Sequence, residues 1–402
     1  MPVHELQVPN IVSKFTDVEV LHADISVQAH AQSSIRTVII PELRNMALKL
    51  AVGVKISSAL RTISHLTADF GPRFSNEIVP KLKIDSRILS ILREPASAVY
   101  RSDDPDLAKH FTAILREEHQ PEEGQALIVS AALLEMDHAG MSSGTSAAEV
   151  VFRLDTYAKR EKFLDRYIQL ACQALLPPLI QNGVAFEAHA QNVLARFDVS
   201  TGELIGFVVR DLGGLRIHPQ TLRQSTGVDF HFLPGHCVAT DALEEIYPKF
   251  YHTFVHNHIQ RLIRVLGMHA DGRGWEMLRE HMGAAIPEDH HLRQLWLSSD
   301  NKLLPSKCLM RMRMQDSYRE KTKLAIRGGQ HPEWDEELRY PVFKQSGDRF
   351  RKVEVACYAK EPRSEDILGK GEVDITDTLR TGEFDGMSLT PHIYNVNLFR
   401  IL

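Results

Sequence analysis

Apolar and polar residues alternate in two stretches whose outer ends are polar. In MALKLAVGVKIS, Leu48, Leu50, Val52, Val54 and Ile56 alternate with Lys49, Ala51, Gly53, Lys55 and Ser57. A period of two predicts a strand with one apolar face and both lysines on the other. The second stretch reads as NVLARF, a VSTG turn and ELIGFVV, a hairpin by its turn chemistry. If that turn centres on Ser200–Thr201, Gln191 faces Arg210 and Ala190 faces Asp211. Facing side chains lie ~5 Å apart at Cβ, so His189, Gln191, Asn192, Arg210 and Asp211 converge on one spot. The turn near PELRNM likewise brings Ser34, Arg36 and Thr37 alongside Lys49.

Elsewhere the pattern predicts strands over residues 18 to 57. Ser57 and Ser58 then cap a helix through Ala59, Leu60, Arg61 and Ile63. Residues 104 to about 180 read as mostly helical, with Phe163, Tyr167, Ile168 and Ala171 at helical spacing before Pro177–Pro178. A second helical block starts at Asp241 and extends to about His281. Beyond Ser317, short strands divided by Gly, Pro and acidic turns give an all-β signature. The fold class expected is α+β: antiparallel hairpins, a largely helical C-terminal half (240–318), and a small partial all-β sandwich over 319–402.

Composition narrows the function classes. Apolar residues are 43% and charged residues 25% of 402, with a net charge of −5, which gives no support for a nucleic-acid partner. The four cysteines are scattered without a CxxC pair, which argues against a zinc site or a disulfide framework. No run reaches the ~20 apolar residues of a membrane span, and the N-terminus has no signal pattern, so a cytoplasmic location is expected.

The two convergent clusters suit a nucleoside triphosphate. Arg and Lys neutralise phosphate, hydroxyl and carboxamide groups give direction, and a carboxylate can hold Mg²⁺. The same residues also fit ordinary polar hairpin ends. Their order decides further: S-x-R-T at Ser34–Thr37, Lys49 followed by Arg61, E-x-H-x-Q-N at Glu187–Asn192, and R-D at Arg210–Asp211. This series resembles the aerobactin-type, NRPS-independent siderophore (IucA/IucC-like) synthetases. Ala190 stands where that family usually has Gly, and PVHELQ resembles its P-V-H-P-W-Q with Glu5 and Leu6 substituted.

The resemblance covers residues 1 to about 318 and implies an ATP- and Mg²⁺-dependent ligase. Such an enzyme adenylates a carboxylate of citrate or a citrate derivative and condenses it with an amine or alcohol. It further implies roles. Ser34, Arg36, Thr37, Lys49, Gln191 and Asp211 would hold ATP, and Arg61 and His189 would act in catalysis. Asp211 with Glu187 would hold the metal, and Lys307 would contact an acidic substrate. A homodimer is implied as well. The family's N-terminal His-Pro/Lys-rich motif and its final segment have no counterpart here, so impaired catalysis is also expected.

The tail resembles part of a C2-type β-sandwich, with His331–Trp334 and Ile367–Gly369 at two of its turns. Ala359 and Glu361 stand where calcium-binding aspartates are expected, which leaves the tail a weak membrane or protein contact. Two other classes stay open. One is a kinase-like phosphotransferase, although Gln191 occupies the place of the catalytic Asp and no glycine-rich loop precedes it. The other is a non-catalytic binding or adaptor protein.

Overall fold

The computed structural model describes residues 1–21, 25–32, 34–56 and 59–298, together with the strands Cys308–Met314, Arg319–Lys321, Lys352–Lys360 and Glu365–Asp374. The chain divides into two compact units, Met1–Arg293 and Gln294–Leu402.

The first unit holds two principal sheets. One contains β1 (His30–Ala31), β2 (Thr37–Ile39), β3 (Met46–Leu50), β7 (Ala96–Val99) and β8 (Thr112–Glu117), in the order β1-β2-β3-β8-β7, antiparallel throughout. The other contains β6 (Leu89–Ile91), β9 (Gln125–Val129), β11 (Val193–Asp198) and β12 (Leu204–Val209), in the order β6-β12-β11-β9. Its β6–β12 pair is parallel. Smaller pairs are β4 (Val52–Ile56) with β5 (Ala59–Arg61), and β10 (Val184–Ala185) with β13 (Arg216–Ile217). Because β6 and β7 belong to different sheets, residues 92–95 carry the chain from one sheet to the other.

One long helix packs on each of these sheets. Helix α1 (His65–Glu77) starts where the Ser64 hydroxyl accepts from the Thr67 N–H, a side-chain cap for an otherwise orphaned donor. Helix α2 (Tyr157–Asn182) is capped by Thr156 and stops at Gly183, whose φ of 65° is the left-handed turn glycine tolerates. Phe163, Leu164, Tyr167, Ile168, Ala171, Leu175 and Leu179 recur every three or four residues and are buried on one stripe. That stripe packs on β12 and on helix α3 (Arg273–Ala285).

The α+β class holds, and three local expectations do not. Ala59–Arg61 is a strand closing a hairpin on β4, and the helix begins only at His65. The stretch 104–180 is not mostly helical: TAILRE and QALIV form β8 and β9. Apolar runs of five or six residues do not separate strand from helix by periodicity alone, and here cross-strand pairing decides. Cys308–Met314, expected in the helical region, is a strand paired with Lys352–Lys360. The described strands of the second unit form one four-stranded antiparallel sheet.

Candidate active site

The site forms where the two main sheets of the first unit meet. Lys49 lies on β3 opposite Thr37, as the alternation predicts, but it is buried, with a side chain only 3% exposed. Its ammonium donates to Asp211 Oδ1 at 2.6 Å. Asp211 follows the end of β12 with φ 68° and ψ 92°, a conformation uncommon outside glycine that clusters at functional sites. The Gly213 N–H donates to the same oxygen and helps hold that turn. Lys49, with Arg116 and Arg36, keeps the Asp211 carboxyl far below the usual carboxylate range despite its burial.

Arg36 anchors on the Thr62 carbonyl at 2.9 Å, one residue past Arg61, so both arginines join the cluster although Arg61 comes from a strand. Burial lowers the Arg36 pKa and the neighbouring Arg61 lowers it further, while Asp211 and Glu94 oppose both. Thr37 is buried beside them. Ser34 enters through its carbonyl, which accepts from the Thr37 N–H at 3.0 Å.

The second cluster lies on the loop before β11. Glu187 pairs with the Lys249 ammonium at 3.0 Å, and its other oxygen is 4.0 Å from His189 Nε2. His189 Nδ1 accepts from the Asn192 N–H at 3.3 Å, which puts the proton of a neutral ring on Nε2. Burial lowers the His189 pKa, against the pull of Glu187, so at neutral pH the ring is an uncharged donor. Asp211 and Glu187 flank the Gly213–Gly214 pair. A Cβ on Gly213 would lie 3.4 Å from Asp211 Oδ1, and one on Gly214 would collide with the Glu187 carboxylate.

The hairpin register is shifted by one residue from expectation. Val193 pairs with Val209, and the Arg210 N–H donates to the Asn192 carbonyl, so Asn192 rather than Gln191 stands opposite Arg210. A bulge between Arg196 and Phe197 absorbs the difference. Gln191 stays at the site through its carbonyl, which accepts from Arg210 Nη2 at 2.9 Å. Lys307 lies outside the described residues.

Three participants carried no motif: Glu94, Arg116 and Lys249. Glu94 sits in the crossing between the sheets, fully buried, and neither carboxylate oxygen makes a well-formed hydrogen bond within the protein. Burial raises its pKa while Lys49 and Arg116 oppose the rise. Arg116 and Arg210, both buried, converge on the Gln32 side-chain oxygen at 2.7 and 3.1 Å. Burial and Arg116 push Arg210 down to about 10. Lys249 is the third, paired with Glu187. None of the three left a sequence signal: Arg116 follows the continuous apolar run AIL, which carries no alternation.

Beneath the His189 loop is a buried polar relay. The Tyr167 hydroxyl is 2.7 Å from both the Ser130 hydroxyl and His258 Nε2, and His258 Nδ1 donates to the Ala188 carbonyl at 3.0 Å. His258 lies in a π-helical turn, His252–Ile259, a distortion frequent near functional sites. Its burial pushes the ring down to about 4. Below pH 6.5 an unfolded histidine takes a proton that the folded one refuses until about pH 4. Stability is therefore fully present above pH 6.5 and is lost as pH falls, by roughly 3 kcal/mol from this residue. Urea unfolding of His258→Gln should show a shallower loss across that window than the parent chain; equal slopes would reject the assignment.

Residues 1–135 match the IucA / IucC family, 161–322 the ferric iron reductase FhuF-like transporter family, and 290–390 the C2 domain. An NRPS-independent siderophore synthetase from Rhizopus delemar is 44% identical over 79% of this chain and 50% of its own length. The match to the IucA / IucC family spans residues 1–135. Staphyloferrin A synthase from Staphylococcus aureus is 26% identical over 79% of this chain and 55% of its own length. In fold the chain resembles the petrobactin biosynthesis protein AsbB of Bacillus anthracis, at TM-score 0.62 and 19% identity over 73% of this chain and 53% of that one. It also resembles ATP-bound aerobactin synthetase IucA of Klebsiella pneumoniae, at TM-score 0.54 and 16% identity over 69% of this chain and 51% of that one. The chain spans about half the length of the curated relatives it matches. Among the described residues, no helix is long and apolar enough to cross a membrane.

Proposed function

We propose that this chain takes part in an ATP-dependent ligation of siderophore biosynthesis, activating a carboxylate of citrate or a citrate derivative for attack by an amine or alcohol. The observation that carries this reading is the buried Lys49–Asp211 pair inside a ring of arginines, Arg36, Arg61 and Arg116. A triphosphate is the ligand such a cationic, partly desolvated cluster suits. Relatives add support: one is a D-ornithine–citrate ligase, and one fold neighbour was solved with ATP bound.

In this reading a substrate carboxylate oxygen attacks the α-phosphorus, the bond to the β-phosphate oxygen breaks, and pyrophosphate leaves with the electron pair. The amine or alcohol then attacks the acyl carbon, AMP leaves, and the nucleophile gives up its proton. Arg36 and Lys49 offset the charge on the phosphates, with Ser34 and Thr37 shaping the turn beside them. Arg61 draws the acid toward the nucleotide, and the Gln191 loop borders it. His189 offers its Nε2 proton to oxygen that becomes anionic, a role its depressed pKa suits.

Mg²⁺ commonly takes one or two protein carboxylates and completes its shell with phosphate oxygens and water. Asp211 and Glu187, across the Gly213–Gly214 pair, fit that pattern. The absence of a three-ligand cluster among the described residues suits a metal that arrives with the nucleotide. Bound there, the ion would neutralise phosphate charge.

The test is ATP–pyrophosphate exchange by the 402-residue chain, with and without citrate. Citrate-dependent exchange that disappears in Asp211→Ala is the expected result. A folded chain that neither exchanges pyrophosphate nor binds ATP would overturn the reading.

A further inference from the structure

Glu94 presents an energetic problem that the site as described leaves open. A carboxylate at 0% exposure ordinarily finds partners, because an unpaired buried charge is costly, and exceptions in native proteins need a cause. Here the backbone is fixed, with the Glu94 N–H donating to the Ser75 hydroxyl at 2.8 Å. The side chain is clamped too, since any Cβ at Gly71 on α1 would run into its Oε2. Nevertheless, neither oxygen makes a well-formed hydrogen bond within the protein, and the donor acting on the carboxyl is the Leu212 backbone N–H. The charge that acts on Glu94 most strongly is the Lys49 ammonium, followed by Asp211 and Arg116.

Depth separates the two acids. Asp211 keeps about a quarter of its side chain exposed, 24%, whereas Glu94 is sealed. A divalent cation arriving from solvent meets Asp211 and finds Lys49 already on its Oδ1. Two cations on one carboxylate oxygen repel strongly in a partly buried site. The lysine must yield, and its flexible stem and rotatable ammonium allow it to. Buried as it is, it needs another acceptor.

We propose that Glu94 is the second seat of the Lys49 ammonium: when a metal-bound nucleotide claims Asp211, Lys49 turns one N–H from Asp211 to Glu94 and keeps its other two for the phosphates. This rests on the nucleotide reading above and deepens it. Glu94 is then a positioning residue that acts through Lys49, and its oxygens are the reserved half of an exchange. It also explains why the crossing between the sheets carries a buried acid within electrostatic reach of both Lys49 on β3 and Asp211 after β12.

The experiment is calorimetric titration of a non-hydrolysable ATP analogue into the full chain, once with MgCl₂ and once with EDTA. The parent chain should bind more tightly with Mg²⁺. Glu94→Gln should bind like the parent in EDTA, within about twofold, and lose most of the Mg²⁺ enhancement, about tenfold or more. Its melting temperature without nucleotide should not fall, because the carboxamide keeps an acceptor for the Leu212 N–H and removes a buried charge that makes no well-formed hydrogen bond. Glu94→Asp, which keeps the charge on a shorter arm, should retain part of the enhancement and serves if the glutamine variant does not fold. An unchanged Mg²⁺ enhancement in a folded variant overturns the exchange alone. Equal weakening with and without metal also overturns it and makes Glu94 structural. A parent chain that binds no analogue under either condition overturns the nucleotide reading along with it.

Discussion

Lys49→Met should reduce citrate-dependent pyrophosphate exchange by about 10²–10³-fold, the usual cost of losing one preorganised charge on a reacting phosphate or oxyanion. The variant keeps the length and most of the volume of the side chain, so lost charge rather than a cavity carries the effect. It should also destabilise the first unit. Removing one partner of a buried ion pair strands the other and commonly costs ~3–5 kcal/mol. The lower end, about 3 kcal/mol, is expected because Arg36 and Arg116 still face Asp211. Lys49→Arg should not rescue exchange, since a planar fork cannot occupy the seat of a compact ammonium buried to 3%. The double variant Lys49→Met, Asp211→Asn separates the two effects. It should recover much of the stability by removing the stranded charge, and none of the exchange. Recovery of exchange in the double variant would mean that Lys49 serves only to balance Asp211.

The part of this site that was legible in the sequence was carried by alternation. Lys49 and Thr37 face each other as the hairpin pattern requires, and the polar ends of the second hairpin do converge. The residue-level detail of that convergence was not legible. A single-residue slip exchanges the faces of a strand, and the bulge at Arg196/Phe197 causes one. Asn192 therefore takes the seat opposite Arg210, while Gln191 contributes a carbonyl. Nothing in NVLARFDVSTGELIG marks a bulge, because it follows from how the turn around Asp198 closes.

Arg61 shows the opposite case, an incorrect element with the residue still at the site. A serine pair before an apolar residue imitates a helix cap, yet the true cap is Ser64, and Arg61 reaches the cluster from a strand. Glu94 lay beyond any sequence reading. In LREPA it is one more acid before a proline, and only the folding of two sheets around the crossing brings it to Lys49 and Asp211. Arg116 was hidden by the helical reading of its strand. Motif residues are visible because their spacing is local; the charges that tune them come from distant elements and have no spacing to read.

Gly206→Ala should be among the most destabilising single-methyl additions in the first unit. Gly206 lies on β12 beside the parallel strand β6. A Cβ there would stand 2.9 Å from both the carbonyl carbon and the Cα of Ile88, and nearer still to its oxygen. Those are backbone atoms, so no rotamer change can relieve the overlap, and the two strands must separate. The Phe207 N–H to Ile88 carbonyl bond, 2.7 Å long, lies at the same point and would be strained or broken. Overpacking combined with a lost ladder bond predicts a loss of about 2–4 kcal/mol. In a unit of this size that lowers the melting temperature by roughly 5–10 °C. Gly202→Ala is the informative control: its φ is +71° but nothing lies within 4 Å of its Cβ position, so only backbone strain of about 1 kcal/mol is expected. The effect of Gly206→Ala should extend to the site, because β12 ends at Val209 and delivers Arg210 and Asp211. Nucleotide affinity should therefore weaken in Gly206→Ala and stay near the parent value in Gly202→Ala. A melting temperature within about 2 °C of the parent for Gly206→Ala would mean that β6 can shift freely, and that the crossing which carries Glu94 is held by α1 rather than by β12.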